Sequence, residues 1–310
     1  MLDVMNKEQI FADLKHVLSP ESVLRLNESL ARKTTLRVGG PADVYVEPCS
    51  EFDLARVFRF CAQADIPFTV LGRGSNLLIR DGGIRGVVVR LNHRSFSEIK
   101  VSSPYLRCGA GASLKDVCNA ARQNGLAGLE FLGGIPGSVG GALRMNAGAM
   151  GSATFERVEH VRYMDRDGEV HEVLVTEVKA QYRSCPMLRT HIALGAIFRG
   201  DPDSKEAIVA RTDDFNKRRW NSQPRDPSAG CIFKNPETIP AGKLVQELGL
   251  KGKQIGGAMV SPVHGNFIVN EKNATAADVL QLIELIREKA KTERGIELET
   301  EVEILGEDES

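Results

Sequence analysis

The first third of the chain alternates short apolar runs with amphipathic stretches, which is typical of a sheet flanked by helices. Asp43–Glu47 is predicted to be a strand, and Ser50 is the predicted N-cap of a helix over about residues 50–64. The apolar run Ile66–Leu71 begins a second strand, so the order is β-α-β. A further apolar run, Gly86–Leu91, is predicted to close a first lobe.

The same periodicities predict a second lobe. Ser113 is expected to cap a helix over about residues 113–124, which Gly125 ends. Two β-rich runs follow, Arg157–Met164 and Glu169–Val173. Aspartate and glycine in the short segment between them predict a hairpin.

The last third of the chain starts where composition and charge shift, at Gly200–Ser204. A helical period predicts one long helix over about Thr275–Lys291, ended by Gly295. The tail Ile296–Ile304 alternates apolar and polar residues strictly, so we expect a strand. Its polar face would carry four glutamates: Glu297, Glu299, Glu301 and Glu303.

The distribution of glycine along the chain indicates where a ligand would bind. Nine glycines lie in the 27 residues Gly125–Gly151, interspersed with small or apolar residues. Glycine loses the most conformational freedom on folding, so such density indicates backbone that approaches a ligand closely. A second loop of this kind, Gly72–Asn76, follows a predicted strand. Neither is a P-loop or a G-x-G-x-x-G motif, and together they suggest one diphosphate held from two sides.

Composition excludes several other classes. The chain has 310 residues, 42% hydrophobic residues and a net charge of -1, which fits a sizeable core in two or three domains and no nucleic-acid partner. The N-terminus has no apolar run long enough for a signal peptide or membrane span, so we expect a cytoplasmic protein without membrane insertion. Six scattered cysteines form no C-x-x-C pair, so no metal site is expected.

Motifs in a fixed order carry a resemblance to a known family. The sequence from about Thr34 to Gly306 resembles the UDP-N-acetylenolpyruvoylglucosamine reductases, in the compact form that lacks an extra tyrosine-bearing loop. Each motif alone is weak, whereas their order and spacing are specific. The motifs are Thr34–Gly40, Gly72–Leu78, Gly134–Gly141, Met145–Ala149, Tyr182–Ser184, Gly230–Pro236, Gly249–Gly252 and Glu301–Val302.

This resemblance implies an α+β fold. A vanillyl-alcohol oxidase-type FAD-binding domain of two α+β lobes, about 31–91 and 92–200, would follow an N-terminal helical segment, 1–30. A smaller α+β substrate-binding domain would occupy 201–310. The implied cofactors are noncovalent FAD and NADPH as reductant, and the implied substrate is a UDP sugar whose enolpyruvyl group receives a hydride at C3 and a proton at C2.

The resemblance also implies three catalytic residues. Arg183, which would otherwise be read as a solvent-exposed strand-edge arginine, would hold the substrate carboxylate. Cys231 stands where the family usually has the serine that protonates C2, and a thiol with its ordinary pKa of ~8.5 is a better acid than an alcohol. Ser228 is the alternative donor. Glu301 is singled out only by the resemblance, because periodicity makes the four tail glutamates equal.

The implied binding residues fall into two sets. A cluster of basic residues around Trp220 offers one or two contacts to the UDP diphosphate, and the expected substrate residues are Arg218, Arg225, Asn235 and His264. The expected cofactor residues are Gly72, Arg73, Gly74, Ser75, Asn76, Leu77, Gly134, Ile135, Pro136, Gly137, Ser138, Gly141, Asn146, Ala147 and Gly148.

Two other functions remain open at this level. One is another FAD-dependent oxidoreductase on the same fold, which rapid reoxidation of the flavin by O₂ alone would indicate. The other is a flavin-binding module that has lost catalysis, and the presence of Cys231 in place of the family's usual serine would be a sign of that loss. The sequence indicates neither the oligomeric state nor a preference for NADPH over NADH.

Overall fold

The computed structural model describes residues 6–309 and has an α+β fold. Its helices are α1 (Lys7–Val17), α2 (Glu51–Gln63), α3 (Leu114–Gln123), α4 (Val139–Met145), α5 (Lys205–Ser222), α6 (Ala241–Glu247) and α7 (Ala276–Arg294). Its strands are β1 (Val23–Ser29), β2 (Pro41–Glu47), β3 (Phe68–Leu71), β4 (Leu77–Ile79), β5 (Ile84–Arg90), β6 (Ile99–Ser102), β7 (Tyr105–Gly109), β8 (Leu126–Ala127), β9 (Gly148–Ala149), β10 (Ser152–Ala153), β11 (Val158–Met164), β12 (Val170–Leu174), β13 (Ile192–Arg199), β14 (Asp201–Pro202), β15 (Ser228–Cys231), β16 (Gln254–Ile255), β17 (Ala258–Val260), β18 (Phe267–Asn270) and β19 (Glu303–Leu305).

The chain forms two compact units that interleave along the sequence. The first unit contains the chain through Leu26 together with Val44–Arg73 and Gly86–Arg218. The second contains Asn27–Asp43, Gly74–Arg85 and the chain from Arg219 onward. The unit boundary therefore passes through the first glycine loop, between Arg73 and Gly74. The continuous domain bounds expected from the sequence stay a prediction.

The first unit is built around two apolar cores. In one, α3 and α4 pack with the antiparallel sheet β12-β11-β13-β7-β6. In the other, α1 and α2 pack with residues of β2 and β5, which belong to the sheet of order β1-β2-β5-β3. Local signals set the helix starts: the hydroxyl of Ser50 accepts the N–H of Asp53, and that of Ser113 accepts the N–H of Asp116.

The second unit places α6 and α7 against the sheet β15-β18-β17-β16. The long helix begins at a capping box formed by Thr275 and Asp278 and ends at Gly295, whose φ is +66°. Separately, β4 and β19 form a parallel pair in which Leu77 lies opposite Glu303. This pairing brings the loop before β4 next to the segment before β19, and both segments carry predicted site residues.

Most of the predicted elements occur in the structure, but the C-terminal strand is a correction. Residues 296–302 form no regular strand: Thr300 makes an isolated bridge to Phe233, and the strand itself is limited to Glu303–Leu305. The apolar residues Leu298 and Val302 are buried as the alternation required. The backbone instead bonds to separate partners, since Glu299 O accepts the N–H of Lys234 while Glu301 donates to Ile232 O. The alternation of apolar and polar residues thus indicated which side chains are buried, but it did not indicate how the backbone pairs.

One further feature concerns helix length and polarity. Across residues 6–309, no helix combines the length and the apolar character that crossing a membrane requires.

Candidate functional site

The part of the first glycine loop that belongs to the second unit runs from Gly74 to Asn76. Gly74 is buried with φ +62°, and a Cβ there would lie 2.7 Å from both Lys33 O and Thr34 Cα. Within residues 6–309, the N–H groups of Gly74 and Ser75 donate to no protein acceptor. Unpaired buried N–H groups are rare in proteins, so this segment fits an anionic ligand such as the diphosphate of a flavin.

In the first unit, Gly72 faces the start of α4. A Cβ on Gly72 would lie 3.1 Å from the hydroxyl oxygen of Ser138. Ser138 is buried and is the N-cap of α4, yet its side chain makes no capping hydrogen bond. The hydroxyl is therefore available, and the absence of a side chain at Gly72 leaves the approach to it open. These residues also fit a phosphate-bearing cofactor.

The other end of α4 supports a turn. Asn146 ends the helix in the left-handed conformation, with φ +43°. Its amide donates to Gln181 O at 3.1 Å, and its Oδ1 accepts the N–H of Phe155 at 3.2 Å. Cys185 N–H also donates to the carbonyl of Arg144, a residue of α4. The C-terminal end of α4 is thereby bonded to both flanks of the Tyr182–Arg183 turn.

Arg183 occupies that turn in a strained conformation. Gln181 and Ser184 exchange backbone hydrogen bonds, and Arg183 between them has φ +55°. Its guanidinium lies 5.0 Å from the centre of the Tyr182 ring, and a Cβ on Gly148 would come 3.4 Å from its Nη1. Left-handed backbone at a bulky residue persists only where the surroundings enforce it, often at functional sites. The left-handed backbone sets Arg183 apart from an ordinary surface arginine.

Cys231 lies at the end of a bulged strand. Ser228 pairs with Val269 and Cys231 with Phe267, with a register shift between them where Gly230 has φ +77°. A bulge re-aims the residues beyond it, so Ser228 and Cys231 have different surroundings. The carbonyl of Ser228 accepts a 2.7 Å hydrogen bond from the hydroxyl of Thr35.

As a residue, Cys231 is also more exposed than four of the other five cysteines. Cys61, Cys108, Cys118 and Cys185 are buried, whereas Cys231 is partly exposed. Burial raises the pKa of Cys61 and Cys108 to about 12, which makes those thiols inert. Cys49, also partly exposed, donates to the carboxylate of Asp53 at 3.2 Å.

The structure distinguishes Glu301 from other tail glutamates. Lys291 pairs with Glu297 at 2.8 Å and Lys234 with Glu299 at 2.9 Å, and these exposed ion pairs lower the pKa of both carboxyl groups. Glu301 is partly buried, and its N–H donates to Ile232 O at 2.8 Å. Because Ile232 follows Cys231 directly, the backbone brings these two candidate catalytic residues into one neighbourhood of the second unit.

The basic cluster contains a residue that sequence reasoning did not select. Arg218 is exposed and pairs with Asp214 at 2.8 Å. In the second unit, the guanidinium groups of Arg219 and Arg225 lie 5.0 and 5.4 Å from the centre of the Trp220 ring. Arg219 Nε is buried without a hydrogen-bond partner, and burial lowers the pKa of this guanidinium. A buried unpaired donor indicates an absent acceptor, which only three-dimensional structure reveals.

Two further substrate candidates build local structure. Asn235 Oδ1 accepts the N–H of Ala241 at 3.0 Å, at the first residue of α6. His264 Nδ1 accepts the N–H of Asn266 at 3.1 Å, and its ring packs edge-on against Phe267. Burial and then the charge of Lys251 lower the pKa of His264, which favours the neutral ring that accepts this hydrogen bond.

The expected flavin residues divide between the units. Gly72 and Arg73, with all the candidates from Gly134 to Gly148, lie in the first unit, while Gly74 to Leu77 lie in the second. Of the catalytic candidates, Arg183 lies in the first unit, and Cys231 and Glu301 lie in the second.

Two family models match the chain. A family model described as an FAD binding domain matches residues 42–174. A second, described as the C-terminal domain of UDP-N-acetylenolpyruvoylglucosamine reductase, matches residues 223–305.

Relatives match over almost the whole length. The UDP-N-acetylenolpyruvoylglucosamine reductase of Geobacillus thermodenitrificans is 42% identical over 303 residues, 97% of this chain and 99% of the relative. That of Geobacter metallireducens is 43% identical over 302 residues, with the same coverage. The crystal structure of the Thermus caldophilus enzyme superposes with a TM-score of 0.80 at 36% identity, covering 92% of this chain and 99% of that one. The chain therefore belongs to the UDP-N-acetylenolpyruvoylglucosamine reductase family.

Proposed function

We propose that this FAD-dependent oxidoreductase uses NADPH to reduce the enolpyruvyl group of UDP-N-acetylglucosamine enolpyruvate, which yields UDP-N-acetylmuramate for peptidoglycan synthesis. The observation that carries the proposal is the full-length match to relatives that bear this enzyme's name. We place the reaction in the cytoplasm, where the reduced state of all six cysteines is expected.

Bound FAD would supply the redox chemistry, since it accepts a hydride from NADPH and delivers it to C3 of the enolpyruvyl group. The residues proposed to hold it are the unpaired N–H groups of Gly74 and Ser75, together with Gly72 and the hydroxyl of Ser138. Backbone donors suit this role because they bind phosphate oxygens without a charged side chain.

Arg183 is proposed to bind the carboxylate of the enolpyruvyl group. Hydride addition at C3 makes C2 carbanionic, and the excess charge spreads into that carboxylate. A guanidinium with two parallel donors stabilises this charge as it develops, and the enforced conformation of Arg183 orients the donors beforehand.

Cys231 is proposed to donate the proton that C2 requires. Cys231 is a partly exposed residue, whereas four other cysteines are buried. After the transfer it is a thiolate, which must recover a proton before the next turnover. The N–H of Glu301 donates to the carbonyl of Ile232, the residue after Cys231. Glu301 is proposed to stabilise the intermediate or to relay this proton.

Arg219 is proposed to bind the UDP diphosphate in preference to Arg218. The buried Nε of Arg219 has no acceptor, while Arg218 already pairs with Asp214. A phosphate oxygen would satisfy that donor and would offset the cost of burying the guanidinium. Arg225, on the same tryptophan ring, is a second candidate for the diphosphate.

The test is spectroscopic and kinetic. The purified protein should show a flavin absorbance spectrum, and mild denaturation should release FAD. NADPH oxidation should depend on the enolpyruvyl UDP sugar and exceed oxidation in O₂ alone. Rapid O₂-dependent turnover without this substrate would instead indicate a flavin oxidase, and flavin binding without substrate-dependent turnover would indicate a module without catalysis.

A further inference from the structure

We propose that Asn76, in the first glycine loop, is a positioning residue that fixes the backbone of Glu301. This inference rests on the proposed function for the catalytic role of Glu301, while the structural link itself does not. The side chain of Asn76 would thus connect occupancy of the flavin site to the geometry of the proton-handling residues.

Asn76 holds the tail at two points. Its side-chain amide donates to the carbonyl of Glu301 at 3.0 Å, and its own carbonyl accepts the N–H of Glu303 at 3.0 Å. The two bonds bracket Val302, which is buried in the apolar core of the second unit. Neither end of this short segment can shift along β4 without breaking one of the bonds.

The backbone of Glu301 is therefore fixed from two directions. Its N–H donates to the carbonyl of Ile232, the residue after Cys231, at 2.8 Å. Its own carbonyl accepts a hydrogen bond from the side chain of Asn76, which follows Gly74 and Ser75 in the chain. Residues 296–302 belong to no regular strand, although Thr300, directly before Glu301, forms an isolated antiparallel bridge to Phe233. These hydrogen bonds and the bridge at Thr300 hold the backbone on both sides of Glu301.

The same geometry links binding of a phosphate at the first glycine loop to the position of Asn76. The N–H groups of Gly74 and Ser75 have no protein acceptor within residues 6–309, so a bound phosphate would order this loop. Ordering the loop fixes Asn76, which in turn fixes the carbonyl of Glu301. Because such coupling is reciprocal, restraint of the tail should also favour cofactor binding.

The first measurement uses the unaltered protein. Hydrogen exchange of the peptide that covers residues 299–303 is followed with and without FAD, in the absence of substrate. We expect FAD to slow exchange of the Glu301 N–H about fivefold or more, the equilibrium value of one ordinary hydrogen bond. No change on addition of FAD would overturn the proposal.

The second measurement compares Asn76→Asp, which keeps the shape but loses the donor, with Asn76→Ala. Both should release the protection that FAD gives Glu301, and because the coupling is reciprocal, FAD affinity should fall by a similar factor of about fivefold. Reoxidation of reduced flavin by substrate should slow about tenfold or more with little change in KM.

Asn270→Asp is the matched control. Asn270 lies in the same unit, and its amide donates to the carbonyls of Leu36 and Arg37 without contacting the tail. This variant should keep the FAD-dependent protection of Glu301. Large loss of FAD affinity in both Asn76 variants with unchanged Glu301 exchange would make Asn76 a flavin ligand and sink the proposal.

The exchange and affinity measurements need no substrate. If they behave as expected but the unaltered protein does not turn over the UDP sugar, the proposed function fails and the link between loop and tail stands. If turnover is normal and the exchange is unaffected by FAD or by the variants, only the positioning proposal fails.

Discussion

Cys231 and Ser228 lie in the same short strand, but the bulge at Gly230 separates their surroundings. Cys231→Ala should leave NADPH reduction of the flavin nearly intact and slow the half-reaction with substrate by ~10²- to 10⁴-fold, the usual cost of losing a positioned acid. Cys231→Ser should restore much of the rate. Stopped-flow flavin absorbance measures each half-reaction.

Ser228→Ala is the control for this experiment. Its carbonyl, which bonds to Thr35, is kept in the variant, so local structure should persist and the effect should be mild. If Ser228→Ala stalls the substrate half-reaction and Cys231→Ala does not, the proton comes from the upstream hydroxyl.

The tail glutamates allow a similar comparison. Glu301→Gln removes the ionisable group but keeps the backbone bonds to Ile232 and Asn76, so it should slow reoxidation of the flavin by substrate by ~10²-fold or more. Glu299→Gln removes an exposed charge that pairs with Lys234 and should have little effect on rate or stability. Equal rates in the two variants would contradict the assignment of Glu301.

For individual residues, the sequence indicated candidates by residue type and motif, but it did not indicate the contacts that those residues make. Motifs selected Arg183, Cys231 and Glu301 as catalytic candidates, and these roles stay predictions. Periodicity could not separate Glu301 from Glu299, since the difference lies in Lys234, which is distant in sequence. Within the basic cluster, the sequence could not rank Arg219 above Arg218, because a buried Nε without a partner has no sequence signal.

Among the elements, the first glycine loop makes the strongest demand on backbone conformation. Gly74→Ala should lower the free energy of unfolding by about 1–2 kcal/mol from the left-handed φ, with a further cost because the new Cβ meets Lys33 O and Thr34 Cα. It should also abolish FAD retention, measured as the ratio of flavin to protein absorbance after gel filtration.

Gly295→Ala separates the two effects. Gly295 has φ +66°, close to the +62° of Gly74, but no atom lies within 4 Å of the added Cβ. This variant should show the conformational cost alone and keep its FAD. Equal flavin loss in both variants would mean that general destabilisation, and not the loop, governs retention.

Elements with local signals were predicted well. The capping box at Thr275 and the left-handed Gly295 delimit α7, and the Asp165–Gly168 turn joins β11 to β12. The tail was predicted as one long strand because alternation reflects only which side chains are buried. Its pairing depends on β4, more than two hundred residues earlier, and such a partner leaves no local pattern.

For the whole molecule, one buried carboxylate should dominate the acid side of the stability profile. Burial tends to raise the pKa of Asp53, but hydrogen bonds from Ser22, Cys49 and Ser19 outweigh it, so the pKa is lowered. The carboxylate therefore stabilises the fold above its unfolded pKa of ~3.9, and this contribution is lost as pH falls through the lower folded value.

Asp53→Asn should lower the free energy of unfolding at pH 7 by roughly 1–3 kcal/mol and flatten its decline below about pH 4. Urea unfolding across pH 3–7 measures both. Asp167→Asn, an exposed turn residue of the same unit, should leave the curve nearly unchanged. An acid slope that persists in Asp53→Asn would assign the acid sensitivity to other carboxylates.

The interleaving of the two units has a consequence for synthesis on the ribosome. Asn76 and its partner Glu301 are 225 residues apart, and at ~5–20 residues per second the ribosome needs roughly 10–45 s to translate the stretch between them. Throughout that interval the nascent β4 has no β19 to pair with. An open strand edge is a template for wrong pairing, so this delay is a window in which chaperone protection of the emerging chain would raise the yield of folded protein.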